Sequence, residues 1–400
     1  SAHHHGAPTG ESRDPYAARD PTESVLVRTV RKHLPRFLEL AAADGHWSLP
    51  GFVEDALRSI VTCGDFIQGF THFQCERCEE VRIVPFSCKG RLCASCGGRR
   101  MNEFAAYAVD RVLPKCAYRQ WVVSFPWALR RTLAFNAKLA RAIFKIAGEV
   151  VMAWISGVAA ESGVFGQPAG VLHIQRFGDG LTTNPHAHFV FSDAVFSAVE
   201  PPDPSEVGAK TVLSFRTRAP TLADVQLVAD RIEHRVVRLL ARQRGGEGEV
   251  DDDSSRLGRL ADVKPVADRT TSGARPVSPA SPGRAKKPLA ARSAGGFDVH
   301  AGVAIDAHAR DGLERLLRYI ARPPVAEARL RELSNGDIAV DLKRAWANNV
   351  RTLTFKPMAF LARLAALVPP PGMRLTTYLG VISPHAELRP LVLPKPPPDD

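Results

Sequence analysis

A chain of 400 residues carries 53 Lys and Arg against 42 Asp and Glu, a formal net charge of +11. With a pI near 9.5, that balance favours a polyanionic partner, although its sign does not choose among DNA, RNA and a membrane surface. No run of about 18 apolar residues marks a membrane span, the N-terminus lacks the apolar core of a secretory signal, and clustered cysteines suit a reducing cytoplasm better than a disulfide-bonded secreted protein.

At this length two or three domains are expected. Residues 1–20 are polar, with Pro8 and Pro15, and read as a flexible arm. Helical spacing begins with Val25, Val27, Val30, Leu34 and Phe37, and resumes after Pro50 with Phe52, Val53, Leu57 and Ile60. The cysteines follow. Met101, Phe104, Ala105, Ala108 and Val112 then recur as a helix up to Pro114, closing a helical and metal-binding module over 21–115. The next block mixes strands and helices. It reads as a buried strand over 118–125, a long helix over 135–158, a strand over 170–177, a Gly-Asp-Gly turn, a strand from His186 and another over 212–216. Thr221 and Asp224 form a capping box for the helix behind them. Residues 243–296 hold no aromatic side chain and are rich in Gly, Asp, Ser, Arg and Pro, the composition of a disordered insertion. The core expected over 116–242 resumes over 297–370. It has a strand at Phe297, a helix over 313–321, a hairpin turn at Asn335-Gly336 and a helix over 357–368. Residues 371–400 read as a Pro-rich tail. The fold class is α+β: an antiparallel sheet with helices packed on it, and the N-terminal module as a separate small lobe.

Two tight cysteine pairs stand out, Cys75-Glu-Arg-Cys78 and Cys93-Ala-Ser-Cys96, with 14 residues between them. Each pair supplies two thiolates from one turn, so Cys75, Cys78, Cys93 and Cys96 are expected to hold a structural, tetrahedral zinc. Cys88 either replaces one of them or stays a core thiol; Cys63 and Cys116 read as buried, apolar-like residues. Lys89, Arg91, Arg99 and Arg100 surround the knot with positive charge and point to nucleic acid.

Further on, Asn184-Pro185-His186-Ala187-His188 places two imidazoles two residues apart, on one face of a strand. With a third ligand, such a pair holds a divalent cation and leaves positions for a phosphate. His173 or Gln175 on the preceding strand can supply that ligand, with His173 preferred. Tyr319, in the basic stretch around Arg318 and Arg322, is the candidate nucleophile for a metal-polarised phosphate; Tyr378 is a weaker one. Taken singly, a strand-edge histidine pair and a half-packed helix tyrosine explain these residues as well. No GxxxxGK[ST] loop is present.

Several blocks taken in order carry more. VPFSCKGRLCASCGGRRMNE, RQWVVSFPWALR, IQRFGDGLTTNPHAHFVF, FDVHAGVAI, LERLLRYIARPPVAEARL and YLGVISPHAELR together resemble the HUH-class rolling-circle transposases of the IS-ninety-one and ISCR type of bacterial insertion sequence. The resemblance runs from about Asp20 to Arg389, apart from 243–296. It implies that His186 and His188 are the HUH metal ligands, that Tyr319 is the catalytic tyrosine and that the cysteines belong to the family's zinc-binding domain. Two-tyrosine members carry a second tyrosine four residues after the first; Pro323 stands there, which implies the single-tyrosine, ISCR-like branch. The implied activity is Mg²⁺- or Mn²⁺-dependent cleavage of single-stranded DNA at element ends. It passes through a 5′-phosphotyrosine, and Arg318 and Arg322 position phosphates. DNA is the implied partner, in the cytoplasm and away from membranes. Competing readings are a zinc-containing DNA-binding protein that has lost catalysis, a plasmid replication initiator or relaxase with the same chemistry, and a zinc-dependent RNA-binding protein.

Overall fold

The structure, a computed structural model, describes residues 20–43, 49–199, 211–244, 289–346 and 349–395. The chain begins with helices α1 (Val25–Ala43) and α2 (Gly51–Thr62), a hairpin of β1 (Phe70–Gln74) and β2 (Val81–Pro85), and helix α3 (Ala94–Tyr107). The centre is a six-stranded antiparallel sheet. Its strands are β3 (Tyr118–Ser124), β4 (Ala169–Phe177), β5 (Thr183–Ser192), β8 (Ala290–Arg292), β9 (Asp298–Ile305) and β13 (Thr376–Gly380), in the order β13-β4-β5-β3-β9-β8. A side hairpin, β6 (Ala194–Val199) with β7 (Thr211–Arg216), continues from β5.

Period-two alternation divides the sheet's two faces. Trp121, Val123, Leu172, Ile174, Ala187, Phe189 and Phe191 are buried on one face. They pack against α5 (Ala137–Ala160) and α6 (Leu222–Arg244). The other face carries Gln120, His173, Gln175, His186 and His188. It is covered by α3 and by α7 (Arg310–Ala321), which pack on each other and share a core cluster with Tyr118, Val171 and Val190.

Helix α5 is long and apolar enough to cross a membrane by length and composition. Its apolar side chains are spent on the sheet, from Leu139 through Ile143, Phe144 and Val151 to Val158. The helix expected over 135–158 forms as α5, two residues later at each end, and a further helix, α4 (Trp127–Phe135), precedes it across a break at Asn136. That residue leaves helical geometry, and its side chain accepts a hydrogen bond from the Leu139 N–H at 2.9 Å, as an N-cap does. Most of the expected 243–296 insertion, residues 245–288, lies outside the described residues. Its last eight residues are ordered and supply edge strand β8. At the opposite edge, β13 arises within the segment read as a tail; five residues behind a proline run carry too little alternation to announce a strand.

The N-terminal module is not a separate lobe. Val27, Val30, Leu34, Leu57 and Ile60 share one core with Phe360, Leu361 and Leu364 of α8 (Pro357–Leu367). The same core includes Ile338, Leu353 and Phe355 from a three-stranded sheet of β10 (Leu330–Glu332), β11 (Ile338–Asp341) and β12 (Thr352–Phe355). Buried Arg176 ties this core to the main sheet. It donates to the Ala366 and Val368 carbonyls at the end of α8, both at 3.2 Å, and to the Ala134 carbonyl.

Candidate active site and metal centre

Strand register brings the downstream candidates together. His173 of β4 lies opposite His188 of β5, and Gln175 lies opposite His186. The two β5 rings are 4.8 Å apart. His186 Nδ1 donates to the Asn184 carbonyl at 2.7 Å, which leaves Nε2 as the lone pair. His188 Nδ1 contacts the side-chain amide of Gln120 on β3 at 2.9 Å, and its Nε2 is buried with no partner among the described residues. Burial holds both histidines below the ordinary imidazole range, His188 well below it. They are therefore neutral near pH 7, the form that binds a metal.

Helix α7 carries Tyr319 onto this face. Arg310, at its first turn, donates to the carbonyls of Leu113 at 3.0 Å, Pro114 at 3.2 Å and Val109. At its last turn, the Gln175 amide donates to the Ile320 and Tyr319 carbonyls at 2.7 and 3.2 Å. The Tyr319 ring thereby stands edge-on to His188, centroids 6.1 Å apart, and is 48% exposed. Gln175 Oε1 is left buried without a partner among the described residues.

His173 does not converge on the pair. Its Nδ1 is engaged with Thr376 Oγ1 at 3.0 Å, and its ring packs against Phe104 at 6.0 Å. No ligand triad of His173, His186 and His188 forms among the described residues. Tyr378 sits on β13 opposite Val171, half-buried under Arg389, away from both histidines.

The cysteines depart from the sequence expectation. Cys63, Cys88, Cys93 and Cys96 place their sulfurs within 4.8 Å of one another. Measured contacts are 3.5 Å from Cys63 to Cys96, 3.6 Å from Cys88 to Cys96 and 3.7 Å from Cys93 to Cys63. Four thiolates at about 2.3 Å from a tetrahedral zinc lie about 3.8 Å apart, so the cluster is of zinc-site size. Cys63 closes α2, Cys88 follows β2, Cys93 caps α3 and Cys96 lies in its first turn. Hydrogen bonding from Cys63 and Cys88 holds Cys96 down to about 6, and Cys93 is lowered further by the same neighbours. Cys75 and Cys78 instead sit exposed at the tip of the β1–β2 hairpin, apart from this group. Cys116 is half-buried, and burial raises its thiol to about 11.

Among the basic candidates, Arg99 pairs with Glu103 at 2.6 Å and Arg318 with Glu314 at 2.5 Å, each one turn along its own helix. Arg100 donates to the Lys89 carbonyl at 2.5 Å; burial, and then the charge of Arg100, lowers Arg91, whose own charge helps to lower His173. Arg322 lies over the Tyr319 ring at 4.3 Å. Lys343, which has no motif around it in the sequence, places its ammonium 5.3 Å from the same ring.

Residues 170–389 match the family model described as "Putative transposase", and residues 29–125 match the one described as "Transposase zinc-binding domain". A curated relative, "Transposase for insertion sequence element IS801" of Pseudomonas savastanoi pv. phaseolicola, is 26% identical over 136 residues. That is 34% of this chain and 32% of the relative. The match therefore spans about a third of that relative's length. No solved structure matches.

Proposed function

The chain belongs to this transposase family, and from that premise we propose that it cuts and rejoins single-stranded DNA through Tyr319, at the ends of a mobile element in the bacterial cytoplasm. One observation carries the reading. The Tyr319 ring stands 6.1 Å from His188, beside two buried atoms without partners, His188 Nε2 and Gln175 Oε1.

Leaving a buried nitrogen and a buried amide oxygen unpaired is costly, and together with His186 Nε2 they suit a divalent cation. His186, His188 and Gln175 would hold it; Gln175 takes the third place because its buried Oε1 has no partner among the described residues, while His173 forms no ligand cluster with the pair. When bound, Mg²⁺ or Mn²⁺ draws charge from the oxygens of a phosphodiester. The protein's own groups prepare this site. Asn184 orients His186. Gln120 sets its amide nitrogen against His188 Nδ1; a half-turn of that amide, which exchanges two nearly equivalent atoms, would let its oxygen take the Nδ1–H and free Nε2 for a metal. Gln175 ties the end of α7 to the same two strands.

Tyr319 Oη then attacks phosphorus. The Oη–P bond forms and the P–O3′ bond breaks. The tyrosyl proton passes to solvent, and the leaving 3′ oxygen takes one up. The 5′ phosphate stays on the protein, so the ester conserves the bond energy and its reversal joins strands without nucleotide hydrolysis. Arg322 is the cation nearest the nucleophile; Lys89, Arg91 and Arg100 extend positive charge along the zinc module toward the DNA backbone.

Incubation of the full chain with labelled single-stranded element ends and Mn²⁺ tests the reading. The expected product is a covalent protein–DNA adduct that survives denaturant and disappears in Tyr319→Phe. No adduct from the wild type, or one that persists in Tyr319→Phe, overturns it and leaves a DNA-binding protein without catalysis.

A further inference from the structure

A cleft of about 860 Å³ opens beside Tyr319, within the range of about 300–1,000 Å³ that houses small ligands. One wall is the zinc-anchored helix α3, through Ala94, Gly98 and Met101; the other holds Phe177, Arg322 and Lys343. Arg322 bridges two rings, 4.3 Å from that of Tyr319 and 5.7 Å from that of Phe177. The Lys343 ammonium stands 5.3 Å from the Tyr319 ring.

Neither cation forms an ion pair among the described residues, while two carboxylates in the cleft wall are engaged elsewhere. Asp179 pairs with Arg329 at 2.9 Å and accepts the Lys343 backbone N–H at 3.2 Å. Glu327 accepts from the Ser24 hydroxyl at 2.9 Å and from the Val25 N–H, capping α1. Asp20 and Glu23 belong to the turn ahead of α1. Two cations thus meet at the mouth of the cleft, on the nucleophile itself. Burial, and then the charges of Arg322 and Arg329, bring Lys343 down to about 8 against the opposing charge of Asp179. An anion seated between Arg322 and Lys343 relieves that repulsion.

We propose that this cleft receives the nucleotide adjoining the scissile phosphate, with its own phosphate between Arg322 and Lys343 and its base against Phe177 and Met101. The proposal rests on the Tyr319 reading for where the scissile phosphate lies. It makes α3, and through it the cysteine cluster, one wall of the DNA site.

Gly98 supplies the test. A Cβ built there meets nothing within 4 Å and the residue lines the cleft, so a tryptophan at this position is the probe that fills the space. Binding is read by fluorescence anisotropy with a labelled oligothymidylate of about 12 nucleotides, using the zinc-loaded full chain in a Tyr319→Phe background. Gly98→Trp is expected to weaken binding by about tenfold or more, the loss of one stacked base. Lys343→Gln is expected to reduce the slope of log affinity against log salt by about 0.7, one phosphate contact on a single strand. Gly157→Trp, on α5 across the sheet, where an added side chain also meets open space, leaves binding unchanged. A Gly98→Trp protein with parental zinc content and melting temperature that binds as tightly as its parent overturns the proposal. If that variant misfolds, an unchanged salt slope in Lys343→Gln does so. Because binding is measured without the nucleophile, the two readings fail separately. A wild type that forms no adduct while the cleft variants still lose binding removes the nuclease reading and keeps the cleft.

Discussion

Replacing Gly97 with alanine asks whether the zinc helix presses on the end of the Tyr319 helix. Gly97 is buried in α3, and a Cβ built on it lies 2.6 Å from Pro323 Cβ and 3.3 Å from the Arg91 carbonyl oxygen. Carbon atoms in contact prefer about 3.5–4 Å, so the overlap with Pro323 is about 1 Å, against a ring and a backbone that have little freedom to yield. Overpacking of this kind costs about 1–3 kcal/mol. Helix propensity acts in the opposite direction, because alanine in a helix interior is favoured over glycine by about 0.5–1 kcal/mol. The neighbouring Gly98 supplies the reference, since its Cβ meets nothing within 4 Å. Gly98→Ala is therefore expected to gain about 0.5–1 kcal/mol. Gly97→Ala should fall below it by about 1–3 kcal/mol, the overpacking term alone. Urea unfolding of both variants at equal zinc loading measures the gap, with unchanged m-values required for the comparison. Pro323 is four residues from Tyr319, so Gly97→Ala should also reduce adduct yield. Equal stabilisation by both substitutions would refute the contact between α3 and the Tyr319 segment.

Zinc content separates the two cysteine sets. Cys63→Ser or Cys88→Ser should lose bound zinc and stability together, whereas Cys75→Ser and Cys78→Ser should retain one zinc per chain by elemental analysis. Arg176→Ala leaves three carbonyls at the seam between the two cores without their donor and should cost about 1–3 kcal/mol in denaturant unfolding; no measurable cost would show that the seam is satisfied in another way. Acid should destabilise the fold through its buried histidines. Burial, helped by Arg91 and His186, lowers His173 to about 3, while the unfolded chain titrates near 6.5. Below about pH 6.5 the unfolded state binds the proton first, so stability falls from there toward pH 3, by up to about 1.4 kcal/mol per pH unit per group. His186 and His188 act in the same direction. In urea melts over this window, His173→Phe should show a shallower decline than wild type; an identical decline would remove His173 from the account. Gln175→Leu should weaken Mn²⁺ binding by about 10–100-fold while Tyr319 stays in place. His173→Phe should leave that affinity nearly unchanged, which a metal titration distinguishes.

The sheet was legible because its signals are periodic. Alternation in β3 and β5 separates Trp121, Val123, Phe189 and Phe191 from Gln120, His186 and His188, and the capping pair Thr221 and Asp224 forms as its spacing predicts, through hydrogen bonds of 2.7–3.2 Å. The third ligand was not legible. His173 and Gln175 share a face, and register alone sets one opposite His188 and the other opposite His186. What favours Gln175 in the proposed reading is its unpartnered Oε1 beside the end of α7, which no spacing in the sequence announces. Lys343 had no local signal either; it reaches Tyr319 only because the β11–β12 segment folds beside the end of α7.

The cysteine pairs misled for a related reason. Spacing records which thiols share a turn, not which turns meet. The Cys75–Cys78 turn is the tip of a hairpin whose strands are exposed from end to end of β1, so it has no packing to bring it back onto Cys93 and Cys96. Cys63 has such packing, because it closes α2, whose Val53, Leu57 and Ile60 lie in the shared core. A buried helix end beside the start of α3 fixes a thiol where a hairpin tip does not. Four sulfurs drawn from α2, the loop behind β2 and the first turn of α3 thus set the position of α3 itself. Its Gly97 meets Pro323, and its Gly98 faces the cleft beside Tyr319. Stripping the metal should therefore weaken DNA binding even though no cysteine touches the strand. A chelator-treated protein that stays folded and binds the oligothymidylate as the zinc form does would break this link between the two halves of the chain.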